Sequence, residues 1–202
     1  VKLLAICIGQ PEKLPGKSYK TGIFKTPVNA AVMVDDLGLV GDAVCNTKHH
    51  GGRDQAILIE GSLTRDWWLA ELGRDLPVGT FGENFVIDGL DNRDVAVGDL
   101  FDAGDVLLEA TCPRSPCNTL ATRIGDPKIL KTYFRAGRPG IYCRVIRKGL
   151  VSPGDEVRHQ RYAGDRVTMP ELLASIGRRS SEAERARFLL APIASRWRAS
   201  LS

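Results

Sequence analysis

Apolar residues fall in short runs along the first three quarters of the chain, punctuated by glycine, aspartate and proline. Segments 1–8, 31–34, 55–60, 84–87, 105–110 and 141–147 are rich in Val, Ile and Leu and have the length of strands. Their irregular spacing and long Gly-rich connections fit a twisted barrel or sandwich better than a doubly wound sheet. Two helices interrupt them. Ser62 is placed to cap a helix carrying Leu63, Trp67 and Ala70 on one face and ending near Gly73. Asp126-Pro127 reads as an N-cap followed by proline in the first helical position, opening a helix over 128–134.

The pattern changes near Ala163-Gly164-Asp165. Thr168-Met169-Pro170-Glu171 and Ser181-Glu182-Ala183-Glu184 both have capping-box spacing and lead into Leu-containing helical runs. A third short helix is expected after Pro192. The chain is therefore expected to be mainly β: a barrel-like domain with a few helices over 1–160, then a small α-helical extension over 165–202.

Composition narrows the class. A chain of 202 residues, 43% hydrophobic and 26% charged, is long enough for one good core and indicates neither disorder nor a membrane protein. The run Leu3-Leu4-Ala5-Ile6-Cys7-Ile8 is far too short to span a bilayer, and no secretory signal pattern opens the chain. Five cysteines, an odd number without a CxxC pair, argue against a disulfide scaffold and for a cytoplasmic location. Cys45 and His49 have the spacing of half a zinc site, with no second half. The formal charge of +4 favours anionic ligands mildly, and with few aromatic residues it speaks against stable nucleic-acid binding. Six arginines between Arg178 and Arg198 offer a surface to an acidic electron donor or to a second copy of the chain, as a homodimer. The same pattern also describes a solvated helical face.

Four segments carry candidate chemistry. In Lys48-His49-His50-Gly51-Gly52-Arg53-Asp54, paired glycines let backbone N–H groups approach an oxyanion, beside basic side chains. An ordinary hairpin turn with a basic rim has the same composition. In Phe81-Gly82-Glu83-Asn84-Phe85, Asn84 offers an amide to a heterocycle or simply closes a turn. In Thr111-Cys112-Pro113-Arg114-Ser115-Pro116-Cys117-Asn118, two prolines fix the backbone around Arg114 and bring Cys117 to the start of a short helix. A helix N-terminus and a nearby guanidinium both lower a thiol pKa, as a nucleophile or soft-metal ligand requires. The alternative is a buried cysteine acting as a small apolar residue. Within Gly137-Arg138-Pro139-Gly140-Ile141-Tyr142-Cys143-Arg144-Val145, Arg144 points into a polar cavity or out to solvent.

The order of these segments, with Gly38-Leu39-Val40-Gly41-Asp42 ahead of them and Val97-Gly98-Asp99 among them, resembles the MOSC domain family and its YiiM-like branch. The likeness covers roughly residues 1–160, and the tail is similar to the three-helix extension of that branch. The resemblance implies a β-barrel-like fold that binds a molybdenum–pterin cofactor, with Cys117 as the molybdenum ligand and Arg114 beside it at the catalytic centre. Lys48, His50, Gly51, Gly52, Arg114 and Arg144 would hold the anionic cofactor, with Asp54 and Asn84 binding pterin or orienting those donors. The implied activity is reduction of small N-hydroxylated compounds, such as N-hydroxylated nucleobase analogues, with electrons returned by a separate reductase. A second expectation, from sulfur-transfer relatives, is a non-catalytic carrier in which Cys117 holds a persulfide or passes cofactor on. A third class is a binding barrel without chemistry.

Overall fold

Most of the β-branched runs become strands, and the Gly- and Pro-rich stretches become turns. A computed structural model describes residues 1–201, so Ser202, the end of the expected extension, lies outside the described residues. The first half holds β1 (Leu3–Gly9), β2 (Glu12–Lys13), β3 (Lys20–Thr21), β4 (Lys25–Val28), β5 (Val32–Asp35), β6 (Gly38–Leu39) and β7 (Ile57–Gly61), then α1 (Ser62–Leu72), β8 (Phe85–Ile87) and β9 (Leu100–Ala103). The second half holds β10 (Val106–Pro113), α2 (Asn118–Ile124), α3 (Ile129–Ala136), β11 (Ile141–Arg147), β12 (Gly149–Val151) and β13 (Val157–Gln160). The chain ends in α4 (Met169–Ala174), α5 (Glu182–Leu190) and α6 (Ser195–Leu201).

Eight strands form one sheet in the order β13-β9-β10-β11-β7-β8-β1-β4. Every pair is antiparallel except β7 and β8, which run parallel because α1 carries the chain across between them. The barrel expected from the sequence does not close. Strands β13 and β4 are edges of the ladder, so the sheet is open. It nevertheless folds round on itself. Lys2 makes an isolated antiparallel bridge to Glu156, and Val157 N donates to Val1 O at 2.8 Å and Gly154 N to Leu3 O at 2.7 Å. The approach is a few bonds long because Pro153-Gly154 turns the chain where a longer ladder would have to form.

Three further expectations are corrected. The N-cap of α1 is Gly61, and Ser62 lies inside the helix, its Oγ accepting from Gly89 N at 2.9 Å. The buried face of α1 is Thr64, Arg65 and Trp68, whereas Leu63 is 49% exposed. Hydropathy misassigns the face because Arg65 is buried with a partner: Nη1 donates to Glu83 Oε1 at 2.8 Å and Nη2 to Leu76 O at 2.9 Å. The helix expected over 128–134 is α3, capped by Lys128; Asp126 instead accepts from Lys128 N in the preceding turn. Both later capping signals are met by their Thr168 and Ser181 side chains.

The core has two main parts. One fills the sheet with Ile6, Ile57, Ile59, Phe101 and Leu108, and Met169, Leu172 and Phe188 of the tail belong to the same cluster. The extension therefore packs into the main core. The second lies under α1, α2 and α3, where Trp68 stacks on Tyr133 with centroids 5.5 Å apart and meets Phe81 at 5.6 Å.

Arg65→Met should lose about 3–5 kcal/mol of stability in urea unfolding, because it leaves Glu83 without its cation. A loss below about 1 kcal/mol, typical of a solvated pair, would contradict the burial of this ion pair.

Candidate functional site

A cavity of about 410 Å³ opens where the end of β10, the start of β7 and the loop before β8 come together. Its wall includes Cys117, Arg114, His50, Gly51, Asn84 and Tyr142. These residues come from all four of the segments marked by the sequence, Tyr142 standing on β11. The ladder explains the meeting: Tyr142 on β11 pairs with Leu58 on one side and Cys112 on the other. Arg114 then continues the strand as its N–H donates to Gly140 O at 2.8 Å.

Gly140 is itself fixed by a buried polar web. Asn92 Nδ2 donates to Pro139 O at 2.8 Å and to Glu60 Oε2 at 2.7 Å, while its Oδ1 accepts from Gly61 N. The Tyr133 hydroxyl accepts from Gly140 N at 2.8 Å. A Cβ on residue 140 would meet Glu60 Oε1 at 2.8 Å, so only glycine lets this turn lie against β7. Burial, and then the charge of Glu83, push the Glu60 carboxyl up to about 8 despite Asn92, Arg114 and Arg65. At neutral pH it is mostly protonated and leaves the Arg114 charge largely uncancelled. Arg114 is 4% exposed, and its Nη1 has no hydrogen-bond partner.

Cys117 is the N-cap residue of α2 and packs against the second core cluster, half-buried. Burial alone would raise its thiol. The imidazole of His50, the charge of Arg114 and the backbone amide of Leu120 outweigh burial and lower it from 9.0 to about 6. The Leu120 amide acts at a distance, without closing a cap hydrogen bond. Cys7 and Cys112 go the other way, pushed up by burial to about 12 and about 11. Cys117 is thus the cysteine whose surroundings favour a thiolate at neutral pH.

Gly51 and Gly52 carry His50 into position with φ of 72° and 79°, a conformation that side chains with a Cβ rarely adopt. Gly51 lines the cavity, and a Cβ there would meet Val44 Cγ1 at 2.8 Å. Gly52 and the exposed Lys48 flank the cavity without lining it.

The remaining expected residues do other work. Asn84 lines the cavity, but its Nδ2 donates to Asp42 Oδ2 at 2.8 Å and to Cys7 O at 3.3 Å, and its Oδ1 accepts from Leu58 N. Its amide therefore braces the wall. Asp54 and Arg144 lie away from the cavity and clasp the extension. Asp54 Oδ2 accepts from Ser195 N and Ser195 Oγ, both at 2.7 Å, and Oδ1 pairs with Arg144 Nη2 at 3.0 Å. Arg144 also donates to Glu109 and to Pro192 O, each at 3.1 Å. The charges of Asp54 and Arg144 are matched across the sheet–extension junction, outside the cavity lining.

Sequence reasoning missed Lys25 and gave Asp42 no role. They form a buried ion pair in the cavity wall, and desolvation lowers the Lys25 ammonium despite Asp42. Asp42 stood within a marked segment, Gly38–Asp42, and was findable; nothing around Lys25 signals a buried lysine. Tyr19 at the rim shares a hydrogen bond of 3.2 Å with Thr119 Oγ1. Among the described residues no group of three or more His, Cys, Asp or Glu side chains is placed to hold a metal ion, and no helix is long and apolar enough to cross a membrane.

A mainly β sheet with this cavity, a lowered thiol and an unmatched arginine defines the class of protein. Residues 46–158 match the family model described as MOSC domain, and the chain belongs to that family, which is associated with molybdenum cofactor binding. It is 34% identical over 154 residues to "Uncharacterized protein YflK" of Bacillus subtilis, covering 75% of this chain and 70% of that protein. It is 32% identical over 146 residues to a protein named "Reductase" from Gibberella moniliformis, covering 70% of this chain but only 26% of that much longer protein. The crystal structure of YiiM from Geobacillus stearothermophilus superposes with a TM-score of 0.82 at 27% identity, covering 99% of this chain and 96% of that one. The chain is a YiiM-like MOSC protein.

With Cys45, the exposed cysteine, replaced by serine, alkylation of Cys117 by iodoacetamide should rise with pH around a midpoint near 6. His50→Gln should move the midpoint upward toward 9.0 by removing the first of the opposing effects. An unmoved midpoint would show that His50 does not stabilise the thiolate. Asp54→Asn should cost about 1–2 kcal/mol, as loss of a charged helix cap does. Amide exchange should then speed up together in 195–201 and 46–50; acceleration in only one of these segments would refute the clasp.

Proposed function

We propose that the protein is a molybdenum cofactor-dependent oxidoreductase that reduces small N-hydroxylated compounds, N-hydroxylated nucleobase analogues among them, with Cys117 as the protein ligand to the metal. One observation carries the reading: a thiol lowered to about 6 faces the same cavity as a buried guanidinium whose Nη1 is unmatched. The donor set fits the group. A single soft sulfur is enough for a metal that arrives with its own pterin ligands, and Arg114 supplies the charge that an anionic cofactor needs.

When bound, the molybdenum centre supplies two-electron redox chemistry at an oxygen atom. The chain's own residues do the rest. Cys117 is mostly ionised at neutral pH, so ligation costs little in proton removal. His50 lines the cavity with that sulfur, favours its ionised form and sits on a loop pinned by α6. Arg114 and Lys20 make the wall electropositive, while the Lys25 charge is already matched by Asp42. Tyr142, pushed up to about 12 by burial, keeps its phenolic proton at any working pH and can donate a hydrogen bond. Membership of the MOSC family and the likeness to a protein named reductase support the same reading.

Protein purified from a host that makes molybdenum cofactor should contain molybdenum and releasable pterin and should reduce an N-hydroxylated base analogue with a chemical reductant. Cys117→Ser should abolish bound molybdenum and turnover; retention of both would end the proposal. A persulfide on Cys117, with no reduction of hydroxylated compounds, would support the carrier reading instead.

A further inference from the structure

A second hollow, of about 610 Å³, lies between the turn after α4, the exposed side of α5, and α6. Four arginines line it: Arg178, Arg179, Arg185 and Arg196. Arg178 is engaged by Glu184, and Arg196 Nη2 donates to Thr47 O at 3.0 Å. Among the described residues the guanidinium groups of Arg179 and Arg185 have no hydrogen bond or ion pair, and no side-chain carboxylate lines the hollow. Several arginines elsewhere on the surface are matched by carboxylates. Asp102 gathers both Arg147 and Arg158, Asp99 takes Arg166, and Glu71 takes Arg135. Unmatched like charges crowded on one face repel each other and create a field that an anionic partner relieves.

The hollow's shape and position say what kind of anion. It is open, its cations stand on separate elements, and Trp197 adds an apolar surface, which suits a protein surface better than a compact ligand. Ser115 forms part of its wall, and Arg114 and Cys117 lie one and two residues away in the chain, facing the other cavity. A partner seated here rests against the loop that holds the thiolate.

We propose that this hollow is the landing surface for an acidic protein that delivers electrons to the Cys117 cavity; electron delivery rests on the reductase reading above, whereas the preference for an acidic protein does not. The balance is simple. Reducing one N–OH group to N–H releases one water and consumes two electrons and two protons. The docked donor is oxidised by those two electrons, and solvent provides the protons.

The full-length holoprotein is titrated with a fluorescent oligo-glutamate peptide at several salt concentrations. Binding should saturate, weaken as salt rises, and fall by at least about tenfold in R179E/R185E. The control K131E/R161E, with the same charge change on exposed residues outside the hollow, should bind as the parent does. Equal loss in both variants, no saturable binding, or displacement by single-stranded RNA at lower concentrations than by unlabelled peptide would overturn the acidic landing. Turnover is measured in parallel with a reduced viologen and with reduced flavodoxin, an acidic protein donor. R179E/R185E should keep the viologen rate and lose most of the flavodoxin rate. Equal effects on the two rates would overturn electron delivery through this surface. Absence of viologen-driven turnover in the parent protein would overturn the reductase reading itself, leaving peptide binding to decide the acidic landing.

Discussion

A guanidinium taken out of water with one nitrogen unmatched is costly, and the arrangement around Arg114 both imposes and uses that cost. Its backbone is held by Gly140, which is held by Asn92 and Tyr133. The one acid deep behind it, Glu60, is pushed toward its neutral form by burial and by Glu83. A neutral Glu60 cannot absorb the positive field, so much of it reaches the cavity. That field, second to His50, lowers the Cys117 thiol that burial alone would have raised. An anion entering the cavity would gain from the same field.

The same reasoning separates what the sequence could reveal from what it could not. Cys117, Arg114, His50 and Gly51 were legible because short-range chemistry marks them as candidates (prolines around an arginine, a cysteine opening a helix, paired glycines beside a histidine) and the resemblance to the MOSC family chose between that chemistry and an ordinary turn or core cysteine. The structure brings them to one cavity. Asp54 and Arg144 stood in the same marked segments but belong to the junction with α6. Sequence adjacency could not separate these roles, because residues on one face of a strand reach different parts of the molecule. Tyr142 lines the cavity, whereas Arg144, two positions on along the same face of β11, meets Asp54 and the extension.

Long-range polar pairing accounts for most of the rest. The buried face of α1 was misjudged because Arg65 meets Glu83, a residue eighteen positions away that hydropathy scores as surface. Lys25 was invisible for the same reason, its partner Asp42 being seventeen positions distant. The fold class was readable from strand-sized apolar runs, and strands such as β9 and β13 were missed because alternating Asp102, Arg158 and His159 break up their apolar signal. Whether a sheet closes depends on pairing between chain ends, and no local pattern encodes that. Here β1 meets the turn before β13 through a few bonds, and the ladder stays open.

The extension is part of the site's mechanics. Its helices share the sheet's core, so their position is set by the same apolar burial that orders the strands. From that fixed position α6 reaches the Gly51–Gly52 loop at two points: Ser195 on Asp54 and Arg196 on the carbonyl of Thr47. Those contacts bracket His50, the residue that does most to offset the burial of Cys117. Two consecutive glycines leave that loop conformationally free, and entropy would disperse His50 unless something outside the loop constrained it. Thr111, whose hydroxyl donates to Asp54 O at 2.6 Å, and α6 supply that constraint together, so the acidity of the cysteine draws on the extension as well as on the cavity wall.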